Sequence, residues 1–166
     1  ERIRHRFEVS LLRPAAKSFY GSYRQFKATP APAVAADIIH LHWVSQWLDL
    51  PSFLGSIPVQ VPIVWTIHDM SPLAGGCFTD FSCGQFGQGC RICPLLKPPF
   101  NGLLPKNELQ RRARSLRGRR LFLVGNSAFT TRLIQNSDLF HQAEQVETIH
   151  PALNLPEFTR HDKAEA

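Results

Sequence analysis

The stretch VPIVWTIHD, residues 61–69, decides the fold. It runs through valine, isoleucine and tryptophan without a charge and then stops on His68 and Asp69. Apolarity that is continuous, not alternating, predicts a strand buried on both faces, as the strands of a parallel sheet are. Working outward, DIIHLHWV (37–44) and RLFLVGNS (120–127) repeat the pattern, and QVETIHPA (145–152) is a weaker fourth candidate. Helix-like pieces lie between them: SQWLDLPSFLGSI (45–57), interrupted by Pro51, KNELQRRARSLRGRR (106–120), and SAFTTRLIQNSDLF (127–140), with Ser127 placed to cap the last. Strand and helix in alternation predict a doubly wound, Rossmann-like α/β domain. No internal repeat is present.

Every proposed strand ends in polar or special residues. His40 and His42 close the first, His68 and Asp69 the second, Asn126 and Ser127 the third, and His150 and Pro151 the fourth. Open α/β sheets bind ligands beyond the carboxyl ends of their strands, so four strand ends are expected to converge on one site. His40 and His42 flank Leu41 and should share a face, because side chains alternate along a strand.

The totals set the frame. A chain of 166 residues with 43% hydrophobic residues can build the core of one domain, which excludes a disordered tail. The net charge of +6 favours an anionic partner without choosing among nucleic acid, phosphate-bearing substrates and acidic membranes. No apolar run approaches the roughly 20 residues of a spanning helix, and the basic start lacks a secretory core, so the expected compartment is the cytoplasm. The chain opens at Glu1 and its one methionine is Met70, so it is expected to be a piece of a longer protein. Residues 1–36 read as a lead-in and linker, 37–158 as the α/β domain, and 159–166 as a tail.

Between Met70 and Pro105 no periodic segment is found, and a loop of that length in a compact domain needs something to hold it. Cys77, Cys83, Cys90 and Cys93 stand in the spacing C-x5-C-x6-C-x2-C among five glycines. Four thiolates that can reach one centre predict a tetrahedral structural metal, zinc, with free or disulfide-bonded cysteines as the alternative and three pairings open. Such a site leaves no open position for substrate, so a catalytic metal is not expected. RRARSLRGRR (111–120) places six arginines in ten residues. It reads as a solvated helix face, or as a contact for anionic lipid at the inner face of the plasma membrane.

ADIIHLHWV, VPIVWTIHDMSPLAGGCFTDFSCGQFGQGCRICPLL, LFLVGNSAFTTRLIQNSDLF and VETIHPALNLPEF, taken together over residues 36–158, resemble the N-terminal domain of glycosyltransferase family 4. The branch they resemble most builds bacterial surface polysaccharides. The resemblance implies a GT-B architecture, in which one Rossmann-like domain holds the acceptor and a second holds a nucleotide-sugar. It implies transfer with retention of configuration, without a catalytic metal, to a glycan or lipid-linked glycan. The opening strand and glycine loop of that family, and its whole C-terminal domain, have no counterpart here, so the chain alone is expected to be inactive.

His68 is then the candidate catalytic residue, able to hydrogen-bond an acceptor hydroxyl or the reacting sugar. Asp69 beside it is the second candidate catalytic residue, expected to orient the turn or the imidazole more than to act as a base. The plainer alternative for His68 is a structural tie between loop and sheet. His42, Trp43, Asn126 and Ser127 are the candidate substrate-binding residues, with helix capping the alternative role of Ser127. Two rival functions remain: a metal-stabilised nucleic-acid-binding module, and a catalytically inactive partner domain. Nucleic acid is the less expected partner, because the cysteines interrupt an α/β pattern and the basic helix lacks interleaved aromatics.

Overall fold

A computed structural model of the chain describes residues 35–45, 47–79 and 82–154. Most of the expected lead-in, residues 155–158 and the tail lie outside the described residues. The elements run β1 (Ile39–Leu41), α1 (Leu50–Gly55), β2 (Ile63–Ile67), a short 3-10 turn (Phe86–Gln88), α2 (Phe100–Leu116), β3 (Leu121–Gly125), α3 (Ala128–Gln135), a second 3-10 turn (Asp138–Phe140) and β4 (Gln145–Thr148). All four strands lie parallel in one sheet, in the order β1-β2-β3-β4. In the central pair, Ile63 stands beside Leu121 and Ile67 beside Gly125.

The α/β reading is met, and one detail of it is corrected. Doubly wound sheets reverse their strand order, and the described strands do not reverse. Right-handed crossovers that always step the same way put their helices on one face. That is what the packing shows: Leu54 of α1, Leu109 and Leu116 of α2 and Ile134 of α3 join Ile63, Trp65, Ile67, Leu121 and Leu123 in one buried cluster. Val64, Thr66 and Phe122, on the opposite face, are only half-buried. Among the described residues β2 is therefore buried on one face and partly covered on the other. Trp65 sits at the centre, its ring edge-on to Phe140 at 5.8 Å and its indole N–H donating to the His42 carbonyl.

The helix boundaries also moved, each for a local reason. Asp49 caps α1 by accepting the Ser52 N–H at 3.1 Å, which places Pro51 in the first turn, where a missing N–H costs nothing. Pro51 begins a helix there instead of interrupting one. Helix α2 starts six residues before Lys106 and runs through Pro105. A proline in that position leaves the carbonyl four residues earlier without its helical donor. The carbonyl is that of Asn101, and the Cys93 N–H takes it at 2.7 Å. The carbonyl that the proline frees thus fastens the cysteine loop to the helix. The helix ends at Leu116, before the end expected from sequence, because Gly118 turns the chain through φ 71°. For α3 the cap holds, Ser127 having extended backbone and accepting the Thr130 N–H, while the helix ends at Gln135 and Asp138–Phe140 forms the separate 3-10 turn.

The arginine run is divided: Arg112 is buried, Arg111 and Arg119 are half-buried, and Arg114, Arg117 and Arg120 are exposed, so part of it is the expected solvated face. Arg112 is 7% exposed and donates to the carbonyls of Ser71, Pro72 and Ala74, tying the segment after β2 to α2. Arg111 bridges Asp49 and Glu108. Arg119 donates to the carbonyls of Leu54 and Ile57 at the end of α1, where helix carbonyls lack partners. Arg120 pairs with Glu144. Arg114 and Arg117 are exposed as well.

Candidate functional site

The carboxyl edge of the sheet gathers side chains from three neighbouring strands. His40 Nε2 lies 2.9 Å from Thr66 Oγ1, and His42 Nδ1 lies 3.1 Å from His68 Nε2. The three imidazoles form a row, with centroids 4.3 Å apart between His40 and His42 and 5.4 Å between His42 and His68. Their alignment follows from strand geometry. Parallel register sets His40 beside Val64, so positions two and four further along each strand fall on the same face. Burial, and then the neighbouring charge of His42, holds the His40 pKa below its ordinary value.

One hydrogen bond between two imidazoles needs a donor nitrogen and an acceptor nitrogen, so at least one ring must be neutral. The bond also fixes which nitrogens remain available. His42 Nε2 and His68 Nδ1 have no partner among the described residues. Both rings are exposed, and a ligand at this edge can reach them.

The alternate positions along the same segments build a second, more rigid layer. Trp43 Nε1 donates to Asp69 Oδ2 at 2.8 Å, while Asp69 Oδ1 accepts from the backbone N–H and the hydroxyl of Ser71. With its proton committed to Asp69, the Ser71 hydroxyl receives that of Ser45 at 2.5 Å. Asp69 therefore has both oxygens occupied within the protein. It orients the turn and fixes Trp43, whose indole is 50% exposed with its one polar atom already satisfied. An aromatic face held in this way suits the apolar face of a sugar ring.

From β3, Asn126 Nδ2 donates to the His68 carbonyl at 3.3 Å and Asn126 Oδ1 accepts the Thr130 hydroxyl, so the amide braces the histidine's backbone. The Ser127 hydroxyl turns into its own helix. His42, Trp43, His68, Asp69 and Asn126 are thus brought together, and Ser127 stands beside them with its side chain used for capping. Thr66, Ser71 and Ser45 complete the arrangement and were not read from sequence. Thr66 lies two residues before His68 in a strand, so side-chain alternation could have revealed it; the serines carry no comparable signal. His150 is exposed at the end of β4.

The four cysteines lie in the segment that follows His68 and Asp69. All are free; Cys90 and Cys93 are buried, Cys77 and Cys83 half-buried. Burial pushes the thiol pKa of Cys90 and Cys93 up. Among the described residues, no three histidine, cysteine, aspartate or glutamate side chains are set where they could hold a metal ion. Among the same residues, no helix is long and apolar enough to cross a membrane.

No protein-family model matches the chain, and no solved structure matches it. A protein of Escherichia coli (strain K12) that carries the name of a colanic acid biosynthesis glycosyl transferase, WcaC, is 31% identical over 101 residues. The match takes in 55% of this chain and 25% of that protein, so the chain spans about a quarter of the relative's length. The likeness establishes a relationship to a glycosyltransferase, carried by a parallel α/β sheet.

Proposed function

We propose that the chain is the acceptor-side half of a GT-B glycosyltransferase of family 4, transferring sugar with retention from a nucleotide-sugar to a glycan or lipid-linked glycan in surface polysaccharide synthesis. The observation that carries this reading is the joined edge itself: the His42–His68 pair, with a fixed indole beside it, at the end of a parallel sheet where such folds bind ligands.

In this role Trp43 packs against the acceptor sugar, and Asn126 holds His68 in place. His68, neutral and bonded to His42 through Nε2, presents Nδ1 to an acceptor hydroxyl. Which nitrogen of His68 carries the proton follows from its neighbour, because the His42–His68 bond couples the two tautomers. Asp69 fixes geometry and accepts no substrate proton. The nucleotide-sugar binds on a further domain, and no catalytic metal takes part. The acceptor is a glycan and not a nucleic acid, since four arginines of the basic run are taken up by contacts within the protein. Attachment to an anionic membrane at the cytoplasmic face would fall to Arg114 and Arg117.

Sugar transfer by the whole protein tests the proposal. His68→Ala is expected to lower kcat by about 10²–10⁴-fold, the usual contribution of a positioned proton-transfer group. His42→Ala should produce a smaller loss with a shifted pH profile. Unchanged kcat in a folded His68→Ala protein would refute the assignment.

A further inference from the structure

His40, His42 and Trp43 of the candidate site also line a cavity of about 790 Å³ beside β1. Four consecutive residues, Ile39 to His42, border it, so it follows the free edge of the strand and not one face of the sheet. Leu48, Phe53, Ile57 and Val61 supply an apolar wall. Trp47 lines the cavity as well and is 69% exposed. Its position comes from the turn after β1, where the N–H groups of Trp47 and Leu48 both donate to the Val44 carbonyl, at 3.2 and 3.0 Å. The turn folds the chain back, so an indole four residues beyond Trp43 meets the same cavity.

A hollow of this size with apolar walls and a few polar groups has the character of a ligand pocket. The polar groups decide what it takes. Ile39 donates its N–H to the Pro62 carbonyl, toward β2, so alternation turns the N–H and C=O of His40 outward along the free edge. The Trp47 indole N–H has no partner among the described residues, and neither has His42 Nε2. A purely aliphatic occupant would cover these groups without bonding them, which is unfavourable for every donor it buries. Among the described residues that line the cavity there is no aspartate, glutamate, lysine or arginine, so an ionised occupant meets no ion-pair partner. A neutral sugar ring satisfies both conditions, with an apolar face for an indole and hydroxyls for the polar edge.

We propose that this cavity is a second sugar subsite with Trp47 as its stacking platform, so that the acceptor is an oligosaccharide whose next-to-terminal residue is uncharged. The inference rests on the glycosyltransferase reading and extends it: Trp43 takes the accepting sugar beside His68, and Trp47 takes the sugar behind it. Trp47 touches no reacting atom. It therefore sets acceptor affinity and length preference, not the rate of the chemical step.

The test uses the whole protein and the lipid-linked glycan that accumulates in cells lacking the gene. Released from its lipid, that glycan is compared as acceptor with the methyl glycoside of its terminal sugar. Trp47→Ala is expected to raise KM for the oligosaccharide by about tenfold with kcat unchanged, and to leave KM for the single sugar where it was. Trp47→Phe, which keeps an aromatic face, should restore most of the affinity. Four results would overturn the subsite while leaving the transferase reading intact: an unchanged KM for the oligosaccharide in Trp47→Ala, an equal rise for both acceptors, a carboxylate on the next-to-terminal sugar, or an effect of Trp47→Ala seen only with the lipid attached. If no glycan accumulates, or the unaltered protein transfers to neither acceptor, the transferase reading itself fails and the subsite with it.

Discussion

His42 and His68 face each other at the end of a parallel strand pair and are joined by a single hydrogen bond. Nitrogen-15 spectra of the histidine rings should show one dominant tautomer of His68 in the native chain and a mixture in His42→Ala. His40 behaves differently. Its folded pKa is depressed below 6.5, so its contribution to stability is complete above that pH and is lost as the pH falls through the folded value. Asp49 adds a second, more acidic loss. Burial raises its pKa, but hydrogen bonds from Ser52 and Arg111 and the charge of Arg111 outweigh burial and hold it below 3.8. Its stabilisation is therefore present above pH 3.8 and disappears as the pH falls through the folded value. Denaturation midpoints measured against pH should fall in two steps, and Asp49→Ala should remove the lower one at a cost of about 1–2 kcal/mol for the lost cap.

At the scale of the elements, two close approaches fix how helices meet the sheet and loop. A Cβ on Gly125 would lie 2.3 Å from Thr131 Oγ1 and 2.6 Å from its backbone nitrogen. Gly125→Ala must therefore displace the start of α3 from the end of β3, beside Asn126 and the site. A loss of about 1–3 kcal/mol in urea unfolding is expected, as for overpacked cores. Arg112 does the equivalent for the segment after β2, and Arg112→Met leaves three carbonyls without their donor. A destabilisation of about 1–3 kcal/mol is expected for the buried carbonyls left unsatisfied, Glu108 keeping its pairing with Arg111. Helix α2 explains why sequence reading stopped short here. Pro105 and Gly102 both argue against a helix locally, and only the Cys93 N–H on Asn101, a tertiary contact, makes the extra turn stable. The internal part of the arginine run escaped the sequence for a related reason: composition records six charges, whereas the carbonyls that Arg112 and Arg119 hold are brought near only by the fold.

Across the whole molecule, the legible part was the strand grammar. Unbroken apolar runs ending in polar residues marked three strands, with QVETIHPA a weaker fourth, and with them the parallel pairing and a carboxyl edge that brings His42, His68 and Asn126 together. Winding was not legible, because strand order depends on crossovers that leave no local signal in the chain. Ser71 and Ser45 were invisible for the same reason, being meaningful only beside Asp69 and Trp43. The central claim is that this edge serves polysaccharide synthesis, with His68 at its working point. It is tested most directly in the source cell, by replacing the native copy with His68→Ala and measuring surface polysaccharide, with the exposed-site change Val59→Ala as control. The account predicts that polysaccharide falls to the level of the gene deletion while the protein keeps its normal abundance; polysaccharide at the control level would contradict it.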